Sequence, residues 1–340
     1  MSSSSRCPAV CTSEKAASRK NLLRKLRFGI FLALIPLGAA HAQQAQAPEN
    51  STALNPNKIA LLKWYEGNRT TGVVVGKGPY GVAFDGANIW TANFLDGTVS
   101  KVSASDNTVL GNWKIGVHPI GIAYDGANMW VTDNAANTVT KVRASDGKIL
   151  GTFNVGREPW WPAFDGSAIW VPNWQDNTVT KLQASDGKVM GTFNVGSSPF
   201  AAATDGQNVW ITNYSSSTVS KLRASDGNML GAFGVGSHPE GIAFDGENIW
   251  TANNGDETVS KVRASDGVIL GTFYPSSDPT GIAFDGTSVW VSCIGVVSRL
   301  NLSDGKQIFN ATTGGSNLGI AFDGANVWMA GYNHDGLYKF

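Results

Sequence analysis

Apolar and polar positions along the chain follow one scheme that returns seven times. Residues 117–156 show it in full: VHPIGIAYDGANMWVTDNAANTVTKVRASDGKILGTFNVG. Short runs rich in β-branched and aromatic residues are separated by Asp-Gly, an Asn-containing loop and Ser-Asp-Gly. Glycine supplies the positive φ of a hairpin turn and aspartate bonds its own backbone, so each run reads as a strand. The four strands of this unit are A (GIAY), B (NMWVTD), C (TVTKVRA) and D (KILGTFNV).

The period is fixed by tryptophan. Trp90, Trp130, Trp170, Trp210, Trp250 and Trp290 lie 40 residues apart, and Trp328 follows after 38. Each is preceded by an Asp-Gly turn, at Asp85, Asp125, Asp165, Asp205, Asp245, Asp285 and Asp323. A second turn aspartate follows at Asp106, Asp146, Asp186, Asp226, Asp266 and Asp304. Four antiparallel strands in about 40–45 residues, repeated, are the signature of a propeller blade. A lone four-stranded sheet cannot bury both faces, so the blades must close into a ring, with the strand-B Trp between neighbours. The predicted fold is all-β, a seven-bladed β-propeller with four antiparallel strands per blade.

Ring closure is legible at the ends. The last unit stops at Phe340 after its strand C, while TGVVVG at residues 71–76 aligns with the strand-D sequence GTFNVG of other units. The N-terminal strand is therefore expected to complete the last blade, pairing residues 71–75 with 337–340 and hiding its edge. The propeller is assigned to residues 58–340, with 58–66 adding an outer strand and 43–57 forming a polar linker.

Composition agrees. Forty glycines and twelve tryptophans in 340 residues, with 15% charged and 42% hydrophobic residues, describe a turn-rich β protein with a large core. Disorder, coiled coil and helical bundle are excluded. The formal net charge of zero changes once the N-terminus is considered. Residues 1–27 are basic, residues 28–40 (FGIFLALIPLGAA) are apolar, and Ala40-His41-Ala42 is a small-x-small site. Together they read as a secretory signal peptide over 1–42, giving a periplasmic or secreted protein. The apolar run falls short of the ~20 residues of a membrane span, although the long basic lead also fits an uncleaved anchor. Residues 1–42 hold seven of the 26 basic residues and one of the 26 acidic ones, so the remainder carries a formal charge of −6. An acidic exported chain without a basic stripe is a poor nucleic-acid binder. Only Cys293 remains there, so no intrachain disulfide forms, and a buried structural thiol is expected.

The runs DGANMWVTDN and DGQNVWITNY resemble the YVTN-type bacterial β-propeller repeat, in a broader group that includes NHL-repeat proteins and streptogramin (virginiamycin B) lyases. The resemblance covers about residues 58–340. It implies a propeller that is often exported or surface-attached; for the lyases it implies a magnesium-dependent seven-bladed enzyme. The lyase pattern has Pro-His-Gly in two successive D-to-A loops, one preceded by Glu, and a Glu three residues after a strand-B Trp. Here Glu158-Pro159 matches the first half, but Trp160 stands where His is needed. The strand-B positions read Asn93, Asp133, Asn173, Asn213, Asn253, Cys293 and Gly331. The catalytic His and the magnesium ligands therefore do not carry over.

Up-and-down strand order puts the A-to-B and C-to-D turns on one face and the D-to-A and B-to-C loops on the other. The first face is monotonous, and its thirteen aspartates are read as turn residues rather than metal ligands. The variable face carries the information. The residues after the loop prolines, Tyr80, Ile120, Trp160, Phe200, Glu240 and Thr280, with Leu318, should point to the central funnel, with Trp161 alongside. Phe94, Trp174 and Tyr214 add aromatic loop tips. The opposite arc holds His238, Glu240, Asp256, Glu257 and Asp278. Such an arrangement either lines a ligand funnel or plugs the channel. The ligand-binding candidates are Tyr80, Trp160, Trp161, Phe200, His238, Glu240 and Asp278. His238 and Glu240 are either an acid/base or metal-site fragment or a surface histidine beside a chance glutamate. The strand-B asparagines are expected to satisfy loop backbone groups. In the sixth unit the B-to-C loop has lost two residues, which lowers the rim there. No cofactor or metal is called for. The reading is a monomeric binding or interaction scaffold for an unknown small molecule, glycan or protein. The alternative is a lyase-like or hydrolytic enzyme.

Overall fold

The computed structural model describes residues 72–340. The expected signal peptide, the expected linker, the strand expected over 58–66 and Thr71 lie outside the described residues. Seven sheets of four antiparallel strands form the blades of one ring. The second blade is typical, with strands Pro119–Tyr124, Asn128–Asp133, Thr138–Arg143 and Ile149–Asn154 running from the axis outward. Strands B and C are buried almost throughout because blades cover both their faces. Strand D alternates, with one face on the next blade and one in solvent.

One residue set joins each blade to the next. Asp125 Oδ1 accepts the backbone N–H of Ala127 and Asn128, at 2.9 and 2.6 Å, shaping the A-to-B turn. Its Oδ2 accepts Trp130 Nε1–H at 2.8 Å. The Trp–Asp bond recurs in all seven blades at 2.7–2.9 Å. Each indole is thus held while its ring packs on the following blade: Trp90 lies against Met129, Val131 and Val142. Above the ring sits a strand-C lysine. Lys101 Nζ is 5.3 Å from the Trp90 ring centre, 4.0 Å from Asp85, and donates to Ala144 O of the second blade at 2.7 Å. Lys339 does the same from the seventh blade to Ala104 O of the first, completing the circle. In the sixth blade Arg299 replaces the lysine, 5.2 Å from the Trp290 ring centre and ion-paired to Asp285 at 2.9 Å.

The N-terminal strand closes the last blade. Val73 and Val74 pair with Leu337 and Gly336, and Val75 N–H donates to Asp335 O at 2.9 Å. The contact is therefore centred on 335–337, nearer the loop than the expected 337–340.

At the axis the strand-A segments approach until there is no room for a side chain. A Cβ on Gly81, Gly241, Gly281 or Gly319 would lie 2.4–2.6 Å from a carbonyl oxygen of the next blade. The third blade breaks this rule with Trp161-Pro162. Pro162 has no N–H to give to a ladder, and the regular strand shrinks to Ala163–Phe164. Trp161 pairs instead in parallel with Ala201 of the fourth blade, donating to Phe200 O and accepting from Ala202 N–H, both at 3.0 Å.

The seven turn carboxyls sit below their ordinary pKa of 3.8. Burial opposes their ionisation, and hydrogen bonds from the indole, neighbouring side chains and two backbone N–H groups outweigh it. A depressed folded pKa stabilises the fold fully above the unfolded value near ~4 and is lost as pH falls through the folded value. Asp125→Ala leaves the Trp130 N–H buried without an acceptor. It should lower stability in urea melts by about 3 kcal/mol at pH 7. The gap from wild type should narrow below about pH 4; a gap independent of pH would mean that the charge plays no part.

Candidate functional site

The monotonous face uses its own charges. The turn aspartates are held as described, and Arg143, Arg223 and Arg263 pair with Asp146, Asp226 and Asp266 at 2.9–3.0 Å. Among the described residues no group of three or more His, Cys, Asp or Glu gathers to hold a metal ion.

On the variable face the residues after the prolines form a layer across the axis. Tyr80, Ile120, Trp160, Phe200, Glu240 and Thr280 are buried, and Leu318 is half-buried. The aromatic members touch one another: Trp160 and Phe200 ring centres are 4.2 Å apart, Tyr80 and Trp160 6.0 Å, Tyr80 and Trp161 6.2 Å. Loop-tip rings cover them, with Trp174 5.6 Å from Trp160 and Tyr214 5.0 Å from Trp174. Beneath the layer is an axial cavity of about 130 Å³ lined by Gly81, Gly241, Gly281, Gly319, Trp161 and aliphatic side chains. It is smaller than the ~300–1,000 Å³ of a typical ligand pocket.

The acidic arc separates into two parts. Asp256 is a turn residue, accepting Ser237 N–H at 2.9 Å and the Thr258 hydroxyl at 2.7 Å, and Glu257 is an exposed left-handed cap. Glu240 belongs to the fifth blade, and Asp278 to the loop that enters the sixth. Burial, reinforced by the Asp278 charge, pushes the Glu240 carboxyl up to about 8. Burial and then the Glu240 charge raise the Tyr214 phenol. No hydrogen bond reaches the carboxyl of Glu240 or Asp278 among the described residues, and no Lys, Arg or His there pairs with either. His238 does not bond Glu240. Its ring stacks on Tyr214, with centres 4.3 Å apart and planes at 9°. His118 stacks on Phe94 in the same way at 4.4 Å.

Two further polar groups have no partner: the indole N–H of Trp160 and that of Trp161 are buried without an acceptor. Sequence reading named both residues for ring area and missed these donors, because a tryptophan with its aspartate and one without look alike until the turn partner is checked. Neither has an Asp five residues earlier. Tyr332 also belongs to the aromatic layer, 6.1 Å from Tyr80. The shortened seventh period hid it.

The strand-B asparagines do not serve loop backbone as expected. Asn93, Asn173, Asn213 and Asn253 donate to strand-C hydroxyls, as in Asn93 Nδ2 to Thr98 and Ser100, both at 2.9 Å. Only Asp133 turns to the backbone, accepting the N–H groups of Val117 and His118. In the sixth blade Cys293 and Val296 flank a two-residue turn, Ile294-Gly295, where other blades have four residues. The lowered rim adjoins Asp278.

No protein-family model matches the chain, and no curated protein sequence matches it. Solved structures do. Virginiamycin B lyase from Staphylococcus aureus superposes with a TM-score of 0.70 at 20% identity, over 80% of this chain and 98% of that one. A streptogramin B lyase gives 0.69 at 17%, over 80% and 96%. U3-55K gives 0.71 at 14%, over 79% and 97%. These likenesses show the β-propeller fold. At such identities they carry no activity across. Among the described residues no helix is long and apolar enough to cross a membrane.

Cys293 is fully buried, and burial pushes its thiol up to about 12. Ellman's reagent at pH 8 should leave it unmodified in the native protein and label it at once in urea. Labelling of Cys293 itself in the native protein would contradict a structural thiol.

Proposed function

We propose that the chain is an exported binding scaffold whose ligand rests on the aromatic layer of the variable face, beside Glu240. The observation that carries this reading is the gathering of unpaired indole donors with a sheet of contacting aromatic rings on this face. Buried polar groups in folded proteins nearly always have partners. The turn carboxyls of the opposite face do; here the indole donors of Trp160 and Trp161 lack them, as single atoms on Asn93, Asn173 and Asn213 do elsewhere in the ring. Tyr80, Trp160, Trp161 and Phe200 supply the floor, Trp174 and Tyr214 the wall, and Glu240 with Asp278 the polar edge. The axial cavity is too small for the ligand, so the ligand lies on the layer. Export rests on the N-terminal pattern alone. N-terminal sequencing of the protein recovered outside the cytoplasm should begin near Gln43, and an intact Met1 in the membrane fraction would mean an anchor.

Glu240 weakens the fold. An acid whose folded pKa is raised loses stability as pH climbs from its unfolded value, near ~4.3, to its folded one. Glu240→Gln, of the same shape, should therefore stabilise the unliganded protein. The gain should be on the order of a few kcal/mol at pH 8 and vanish near pH 4. Proteins keep such destabilising groups chiefly where function needs them. The same variant, with Trp174→Ala, tests the site. A panel of cell-wall glycan fragments, peptides and streptogramins, followed by tryptophan fluorescence, should contain a ligand whose affinity both changes reduce by about 1–3 kcal/mol. A ligand indifferent to both changes would put the binding site elsewhere on the ring.

A further inference from the structure

We propose that the turn face carries two saccharide sites, in grooves at the first–second and fourth–fifth blade boundaries, each suited to a sugar unit that bears a carboxylate. This goes beyond the binding reading above and uses none of its residues. The first groove, of about 450 Å³, brings Asp85, Asn88 and Lys101 of the first blade together with Tyr124, Asn128 and Arg143 of the second. The other, of about 750 Å³, brings Asp205, Asn208 and Lys221 together with Phe244, Asn248 and Arg263. Each residue of one set lies 120 positions, three repeats, from its counterpart in the other. Both volumes fall within the ~300–1,000 Å³ of a ligand pocket, which the axial cavity does not reach.

The blade contact holds each set in place. Lys101 Nζ donates across the boundary to the carbonyl of Ala144, next to Arg143, at 2.7 Å. Lys221 Nζ donates to that of Ala264, next to Arg263, at 2.6 Å. Tyr124 packs against the cluster that holds Trp90 and Ala144, and Phe244 against the one that holds Trp210 and Ala264. Other boundaries lack a part. Ser103, Gln183 and Asn301 stand in the arginine's place at three of them, and Thr204 in the ring's place at another.

The walls select the ligand. Asp85 and Asp205 are spent on their turns and indoles. The four asparagines give their Nδ2–H groups to turn aspartates, and among the described residues their Oδ1 atoms accept nothing. Arg143 and Arg263 each give one nitrogen to Asp146 or Asp266, at 3.0 and 2.9 Å, and among the described residues their other guanidinium N–H groups have no acceptor. Each groove thus offers acceptors, cationic donors and one half-buried ring. A hydroxyl both donates and accepts, so a sugar satisfies both kinds of group while its C–H face lies on the ring. A bare anion would face the asparagine oxygens, and an apolar ligand would strip water from donors and acceptors alike. Among the lining side chains cations outnumber anions by one, two to one in the first groove and three to two in the second. That excess, with the arginine fork, favours a carboxylate on the sugar.

The test is calorimetry on the full chain with trisaccharides of galacturonate, glucuronate, mannuronate and guluronate, each beside its neutral carboxyl-reduced form, and with sodium sulfate as competitor. At least one uronate should bind at two sites per chain, about tenfold tighter than its neutral form, and sulfate should not displace it. Arg143→Gln and Phe244→Thr should each take the stoichiometry from two to one, and together remove binding. Both replacements already stand at equivalent positions, as Gln183 and Thr204, so urea melts should change little. Absence of binding by all four uronates, equal binding of charged and neutral forms, displacement by sulfate, or binding that survives the double substitution overturns the inference. Uronate binding lost in Trp174→Ala and kept in the double variant overturns these grooves and places the saccharide on the variable face.

Discussion

A single carboxylate in each blade holds the ring together. It closes the A-to-B turn through backbone N–H groups and fixes the indole that forms the blade interface. It also provides the negative charge beneath a lysine that reaches across to the next blade. Local turn chemistry and non-local blade packing therefore depend on the same atom group. That coupling suits a repeat protein, in which stability is approximately the sum of unit and neighbour terms. It also explains why the repeat tolerates so much change elsewhere. Outside the Asp, the Trp and the strand-C cation, a blade needs only small inner residues and alternating apolar ones.

The coupling makes the two faces chemically unequal. On the turn face the turn carboxylates and the strand-C cations are tied into the interfaces. The loops on the opposite face do not take part in the clamp and are free to differ. Their differences gather in one sector. Trp161-Pro162 breaks the tight inner ring in the third blade and brings a second indole to the axis. Two and three blades further on, Glu240 and Asp278 stand without partners, beside a rim shortened in the sixth blade. An aromatic half and an acidic half thus come from local exceptions to an otherwise regular ring.

The fold was almost wholly legible because its period is carried by a rare residue. Trp at intervals of 40, each five residues after an Asp, is a pattern that single-sequence reading can count. Strand order, face assignment and closure by the N-terminal strand followed from it, with the closing register off by a residue or two. The site was legible in composition but not in detail. The aromatic residues after the prolines were named, yet whether they line or fill the axis depends on side-chain volume around the whole ring. Pairing was harder still. His238 and Glu240 are two residues apart, but His238 lies before the strand in left-handed backbone, φ 52°, and its ring stacks on Tyr214 while the glutamate is buried. The charge that acts on Glu240 is that of Asp278, 38 positions away in the chain. The asparagines were misread because strand-C hydroxyls, which lie across the hairpin, were not considered as partners.

Why Glu240 persists can be argued from magnitudes. The positions equivalent to it hold Tyr, Ile, Trp, Phe, Thr and Leu, so the layer accepts a neutral side chain of almost any size. A buried acid there loses its water and gains no hydrogen bond, and the nearest charge, Asp278, is of the wrong sign. Packing alone would favour any of the six alternatives, since removing an unpaired buried ionisable group removes a desolvation penalty of several kcal/mol or the protonation that avoids it.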